Sequence, residues 1–171
     1  MAGLDDATLP RRCHVAGRDV DIDFLAAHLS VLPVLASAFE REWPAYYGPG
    51  KGGDAARDLG SHARRGSVPL GLVALCDGDP CGYVALKPDV FPTHRALFPW
   101  VGAAWVRPGW RRHGLGGRLF AAIAAQARAL GHGRIYCATA TADSLLERAG
   151  WQRIDAVGFE GEAIRIYQTV C

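Results

Sequence analysis

The chain has 171 residues, of which 50% are hydrophobic and 21% charged, and a formal net charge of +2. That balance fits one globular domain with a real core and excludes a disordered or fibrous chain. The charge is small and its arginines are scattered apart from pairs at 11–12, 64–65 and 111–112, so nucleic acid is not an expected partner.

The five cysteines, at 13, 76, 81, 137 and 171, form no Cys-x-x-Cys pair, and reduced thiols are expected. Cys76 and Cys81 flank Asp-Gly-Asp-Pro and could face each other across a hairpin; whether they pair stays open. A zinc site would need two further ligands that no second cluster supplies, so no metal is expected. The first twenty residues hold Asp5, Asp6, Arg11 and Arg12 without an apolar centre, and no stretch approaches 18 apolar residues. No signal peptide, no membrane span and a cytoplasmic location are the expectations.

Along the chain, residues 1–18 read as a flexible leader or an edge strand, with a single domain over 19–171. Val20, Ile22 and Phe24 alternate with Asp21, Asp23 and Leu25, which predicts a strand. Ser30 is placed to cap a helix in which Leu32, Leu35, Ala36 and Phe39 recur at helical spacing, and Pro44 stops it. Glu42, Trp43, Tyr46 and Tyr47 then stand where this helix gives way to a loop, a place suited to binding because a rigid element positions it. Aromatics that plug the core are the alternative.

A short polar helix is expected over 54–65. Strands over 67–76 and 81–87 with a turn at 77–80 read as a hairpin. A loop over 88–99 carries His94. The apolar run 101–106 is a strand ended by Arg107-Pro108-Gly109. From Leu115 the period changes: Leu115, Leu119, Ile123 and Ala127 share one helical face until Gly131. Residues 134–139 form the next strand, parallel to 101–106 through a right-handed crossover, giving a central βαβ unit. A short helix follows from Thr141 or Asp143, with Ser144-x-x-Glu147 as its capping pattern and Gly150 at its end. Strands 151–157 and 163–170 close the chain as a hairpin.

The junction before the long helix is the most informative stretch. Arg111-Arg112-His113-Gly114-Leu115-Gly116-Gly117 places three glycines at a helix start, each costing about 0.5–1 kcal/mol against alanine. A helix start has four N–H groups without internal partners and a partial positive charge, so bare backbone here suits an anion, with arginines as forked donors for phosphate. A glycine-rich connector with solvated arginines is the alternative. The dinucleotide fingerprint fails because the position for its last glycine is Leu119, and Walker A fails because no Gly-Lys-Ser/Thr occurs.

Arg-x-x-Gly-x-Gly does match, as Arg111, Gly114 and Gly116 directly after a strand ending Val-Arg-Pro. This resembles the coenzyme A pyrophosphate loop of the GNAT acetyltransferase superfamily, and the order of elements over nearly all of 20–170 is similar to that fold. The resemblance implies an α/β (α+β) domain: a mixed, mostly antiparallel seven-stranded sheet, about four helices, and a gap between the central and following strands. It implies acetyl-CoA as co-substrate. The backbones of Trp105 and Val106 would bond its pantetheine arm, and the segment Arg111, Arg112, His113, Gly114, Leu115, Gly116, Gly117 and Arg118 would hold the pyrophosphate.

The implied reaction is acetyl transfer to a small-molecule or peptide amine by direct attack in a ternary complex, with the Val106 N–H polarising the carbonyl. Glu42 is the first choice for proton removal and His94 the second, with Trp43, Tyr46, Tyr47 and His94 around the acceptor. One negative charge among aromatics favours a cationic amine. The family's usual tyrosine falls at Leu146, its asparagine at Ala140, and the central strand lacks a glutamate, leaving water or Tyr167 to serve the leaving thiolate. These departures support the alternative of a degenerate GNAT domain that binds coenzyme A or a partner without catalysis. A homodimer is compatible with the sequence, which does not reveal the acceptor.

Overall fold

Eight strands form one sheet in the order β1-β2-β3-β4-β5-β6-β8-β7 in the computed structural model, which describes residues 8–88 and 91–171. The strands are β1 (Arg11–Val15), β2 (Arg18–Phe24), β3 (Leu70–Cys76), β4 (Asp79–Lys87), β5 (Trp100–Val106), β6 (Arg134–Thr139), β7 (Gln152–Phe159) and β8 (Glu162–Val170). Five α-helices join them: α1 (Leu32–Glu42), α2 (Pro44–Tyr47), α3 (Ala55–Ser61), α4 (Leu115–Ala129) and α5 (Asp143–Arg148). The class expected from the sequence is the class observed, with one strand and one helix more.

The additional strand is β1, which pairs with β2 from Arg11↔Ile22 to Val15↔Arg18. The expected leader therefore contains the edge strand that was its second reading, while residues 1–7 lie outside the described residues, as do 89–90 in the expected 88–99 loop. The additional helix is α2, which starts at the proline that ends α1. Ser30 sits in a 3₁₀ turn and makes no side-chain cap to α1, whereas Asp54 accepts the Arg57 N–H at 2.9 Å and starts α3.

Central strands buried on both faces explain the apolar runs of the middle of the chain. In β3, Leu70, Leu72, Ala74 and Cys76 pack with Leu115, Leu119 and Ile123 of α4, whereas Val73 and Leu75 pack with Leu35 and Phe39 of α1 and Leu59 of α3. All five cysteines are free thiols, and Cys81 Sγ lies against the Ala74 carbonyl, so Cys76 and Cys81 do not pair.

β5 is less regular than an alternating run suggests. Its pairing to β4 shifts register between Tyr83 and Ala85, and Ala103 adopts φ 51°. The extra residue reverses the alternation: Val101 and Val106 face α4, while Trp105 faces α1. β5 and β6 are parallel, yet pair only at Trp100↔Tyr136 and Val101↔Cys137. Beyond Val101 they diverge.

Under α1 and α3, His62 is 4% exposed and its Nδ1 lies 2.9 Å from the hydroxyl of the fully buried Tyr83. Burial, then the charge of Lys87, pushes its pKa down to about 4 from 6.5. A histidine held neutral by the fold contributes stability that is complete above pH 6.5 and lost as pH falls towards 4. The difference amounts to about 3 kcal/mol. Urea denaturation at pH 7 and pH 4 should show an acid loss of that order, and His62→Gln should remove its share of the slope.

Candidate active site

Two cavities open on the gap between β5 and β6. One, of about 630 Å³, is lined by Val106, Arg111, Arg112, Gly114, Gly116, Gly117, Leu145 and Arg148 among others. The second, of about 680 Å³, is lined by Trp43, Tyr46, Tyr47, Lys87, Gly102, Ala103, residues 137–141 and Glu162. Glu42, Ala104, Phe120 and Ala142 line both. The loop and the aromatic segment singled out in the sequence thus meet at one place, Ala104, from opposite sides.

The first wall of the loop cavity is backbone. Gly114 precedes α4 at φ 85°, a conformation that disfavours a side chain, and the first helical bond runs from the Arg118 N–H to the Gly114 carbonyl at 3.2 Å. The N–H groups of Leu115, Gly116 and Gly117 precede that bond and have no helical acceptor. A Cβ on Gly116 would lie 2.9 Å from Leu145 Cδ1, whereas one on Gly117 would meet nothing within 4 Å. Gly116 therefore lets α5 approach, and Gly117 keeps the cavity open.

Three residues of the expected loop set contribute otherwise. The Arg118 N–H closes the helix and its side chain is outside the cavity lining; the His113 side chain is exposed and also outside it; the Leu115 side chain is buried in the core. Arg111 turns back on the strand: its Nε donates to the Val106 carbonyl at 2.8 Å and its terminal nitrogen to Glu42 Oε2 at 2.7 Å. One guanidinium thus ties the loop, β5 and the end of α1 together.

The pairing pattern decides which backbone of β5 is available. The Arg107 N–H donates to the Cys81 carbonyl at 2.9 Å, and antiparallel pairs alternate between bonded and unbonded. Val106↔Gly82 is then the unbonded pair, so the Val106 N–H and carbonyl point into the gap. Trp105 belongs to the bonded pair with Tyr83, which turns its backbone to β4, and its indole is buried under α1. Of the two residues grouped for the pantetheine arm, Val106 is therefore the one whose backbone faces the gap.

On the other side, Trp43 and Tyr47 both plug the core and line the cavity: Trp43 stands edge-on to Phe39 at 4.8 Å, and the Tyr47 hydroxyl donates to Asp58 at 2.8 Å. Burial, then that bond to Asp58, raises the Tyr47 pKa far above the usual phenol value. Tyr46 is 57% exposed and remains open to a ligand. His94 lines neither cavity; its imidazole is held between Asp155 Oδ2 and Thr93 Oγ1, each at 2.9 Å. It thus stands apart from the aromatic segment with which the sequence grouped it.

Tyr167 is also removed as a proton donor. Its buried hydroxyl lies 2.8 Å from Asp143 and 3.0 Å from Glu147, and burial, then these carboxylates, raises its pKa well beyond the phenol range. Arg165 pairs with Asp143 and donates to the Ala140 carbonyl, which holds Asp143 well below the usual carboxylate range and braces the far wall. Leu146 is fully buried and Leu145 lines the loop cavity, so α5 presents no phenol. Ala104, Phe120, Ala142, Arg148 and Lys87 were not singled out in the sequence, because small, apolar or isolated charged residues carry no spacing signal.

A model of the acetyltransferase (GNAT) family matches residues 35–151. The chain belongs to the GNAT acetyltransferase family. Its fold is similar to the GNAT domain of PAT from S. lividans, with a TM-score of 0.71 at 17% identity, covering 94% of this chain and 96% of that one. It is also similar to YncA, a putative acetyltransferase from Salmonella typhimurium solved with acetyl-CoA (TM-score 0.68, 18% identity, covering 88% and 93%). Aminoglycoside 6'-N-acetyltransferase from Enterococcus faecium aligns with a TM-score of 0.66 at 12% identity, covering 84% and 92%. A comparison with curated proteins returned no match.

The start of α5 supplies a test of how this GNAT domain builds its far wall. Thr139 Oγ1 accepts the N–H groups of Thr141 at 3.1 Å and Ala142 at 2.8 Å, while Ser144, the residue in the capping pattern, makes no side-chain cap. Thr139→Val should cost about 1 kcal/mol in urea denaturation, the usual net worth of a hydrogen bond, and Ser144→Ala should cost far less.

Proposed function

We propose that the chain is an N-acetyltransferase that passes the acetyl group of acetyl-CoA to the nitrogen of an amine. The observation that carries this reading is the meeting of two cavities at Ala104 and Glu42, one walled by bare helix-start backbone and arginines, the other by aromatics. The residues fit a donor with a pyrophosphate: unsatisfied N–H groups at Leu115, Gly116 and Gly117, open space over Gly117, and Arg112 and Arg148 beside it. Acetyl-CoA supplies a thioester carbonyl, which the amine attacks so that a C–N bond forms and the C–S bond breaks, the thiolate leaving with coenzyme A.

The side chains and backbone of the chain divide the remaining work. The Val106 N–H, aimed into the gap, is the donor for a carbonyl oxygen gaining charge. A primary amine with pKa near 10.4 arrives protonated, and the Glu42 carboxylate, at the junction of both cavities, receives that proton directly or through water. Arg111 fixes the carboxylate in place, with an ion pair 2.7 Å long. α5 offers no phenol to the leaving sulfur, and an alkyl thiol of pKa near 8.5 departs as thiolate without one.

Two measurements test this. Gly117→Glu should weaken coenzyme A binding at least tenfold by calorimetry while leaving the melting temperature near wild type, since its side chain enters open space carrying the wrong charge. Glu42→Gln should lower kcat/KM by about 100-fold, the usual worth of a general base, and alter the rate-versus-pH profile. Intact coenzyme A binding with no thiol released by any amine would favour the ligand-binding domain without catalysis, which the missing phenol also supports.

A further inference from the structure

We infer that the acceptor amine carries a carboxylate, and that Lys87 is the residue that receives it. This deepens the reading above and rests on it. Lys87 ends β4 opposite Trp100, on the face that Tyr83 and Ala85 present to α1, and lines the acceptor cavity. It is partly buried, yet among the described residues no carboxylate lies within ion-pair distance of it. An ammonium removed from water without a partner is costly, and the cost is recovered when an anion arrives.

The surrounding charges sharpen this. Glu42 is already paired with Arg111, so the negative charge expected there from the sequence is compensated, and the other carboxylate of the cavity is Glu162. Glu162 lies exposed at the first position of β8, beyond 4 Å from Lys87. Lys87 also opposes protonation of His62 behind it, so a further cation nearby is disfavoured. From Trp100 to Ala104, β5 covers roughly 12 Å, partly spanned by the lysine side chain. What remains suits a small molecule with its nitrogen at Ala104 and a carboxylate a few bonds away; a polyamine or aminoglycoside would bring positive charge to Lys87.

The test measures thiol release from acetyl-CoA with matched probes: L-phenylalanine against L-phenylalaninamide, and 4-aminobutyrate against butylamine, with kanamycin as a polycation. Within at least one pair the acid is expected to have a kcat/KM at least tenfold above its neutral counterpart. Lys87→Met should abolish that preference by raising KM for the acid alone, Lys87→Arg should restore part of it, and coenzyme A affinity by calorimetry should stay unchanged; Lys87→Gln serves if the methionine variant does not fold. Equal or better turnover of the amides, butylamine or kanamycin would overturn the proposal, as would Glu162→Gln shifting the acid preference in the same way as Lys87→Met. Binding of the acids to the coenzyme A complex, followed by saturation-transfer NMR, separates the two readings. Lysine-dependent binding without any thiol release would sink the transfer reading and keep this one, release that ignores the carboxylate would do the reverse, and neither binding nor release would overturn both.

Discussion

Everything at this site depends on a ladder that stops early. β5 and β6 bond at Trp100 and Val101 and then part, inside a sheet whose other neighbours pair along most of their length. Unpaired backbone in a protein interior is costly, so the separation has to be held open by other contacts. The bulge at Ala103 turns the strand, Arg111 satisfies the Val106 carbonyl from the loop, and Thr139 satisfies the N–H groups that begin α5. What these leave facing the gap and the loop cavity are the Val106 N–H and the first N–H groups of α4.

The glycines of the loop illustrate how one residue type serves three physical ends. Gly114 takes a left-handed backbone that a side chain resists, Gly116 admits Leu145 where a Cβ would stand too close, and Gly117 keeps free space over the helix start. Gly116 and Gly117, the two inside α4, sacrifice roughly 2 kcal/mol of helix propensity. Alanine at Gly117 alone would meet neither a left-handed backbone nor a close neighbour, so that position is understood through the cavity it borders.

How much of this was legible follows from the range of the contacts involved. Local signals served well: the change of period at Leu115, the Pro44 stop, the glycine at 131 and the Arg-x-x-Gly-x-Gly spacing all correspond to elements found in place. Properties set by distant partners did not show. The bulge that sends Trp105 to the opposite face from Val101 depends on register with β4, and the strand at Arg11–Val15 is stabilised by β2 across a tight turn rather than by any apolar pattern of its own. Ser144 has the capping pattern but makes no side-chain cap, while Thr139 at the end of β6 accepts the N–H groups of Thr141 and Ala142 just before the helix. His94 and Tyr167 are suitable residue types for proton transfer, yet each is engaged by carboxylates brought from other strands or helices.

The position of Arg111 links the two halves of the site in a way that neither half implies alone. Its backbone begins the glycine loop, while its guanidinium joins the carbonyl of Val106 to the carboxylate of Glu42. A guanidinium offers a rigid planar fork, which fixes both acceptors relative to each other more tightly than an ammonium would. The loop, the carboxylate shared by both cavities and the strand that borders the gap are thereby held in one relation. One side chain thus joins the loop, the strand and the end of α1, and the residue first singled out as part of a phosphate loop also braces the junction of the two cavities.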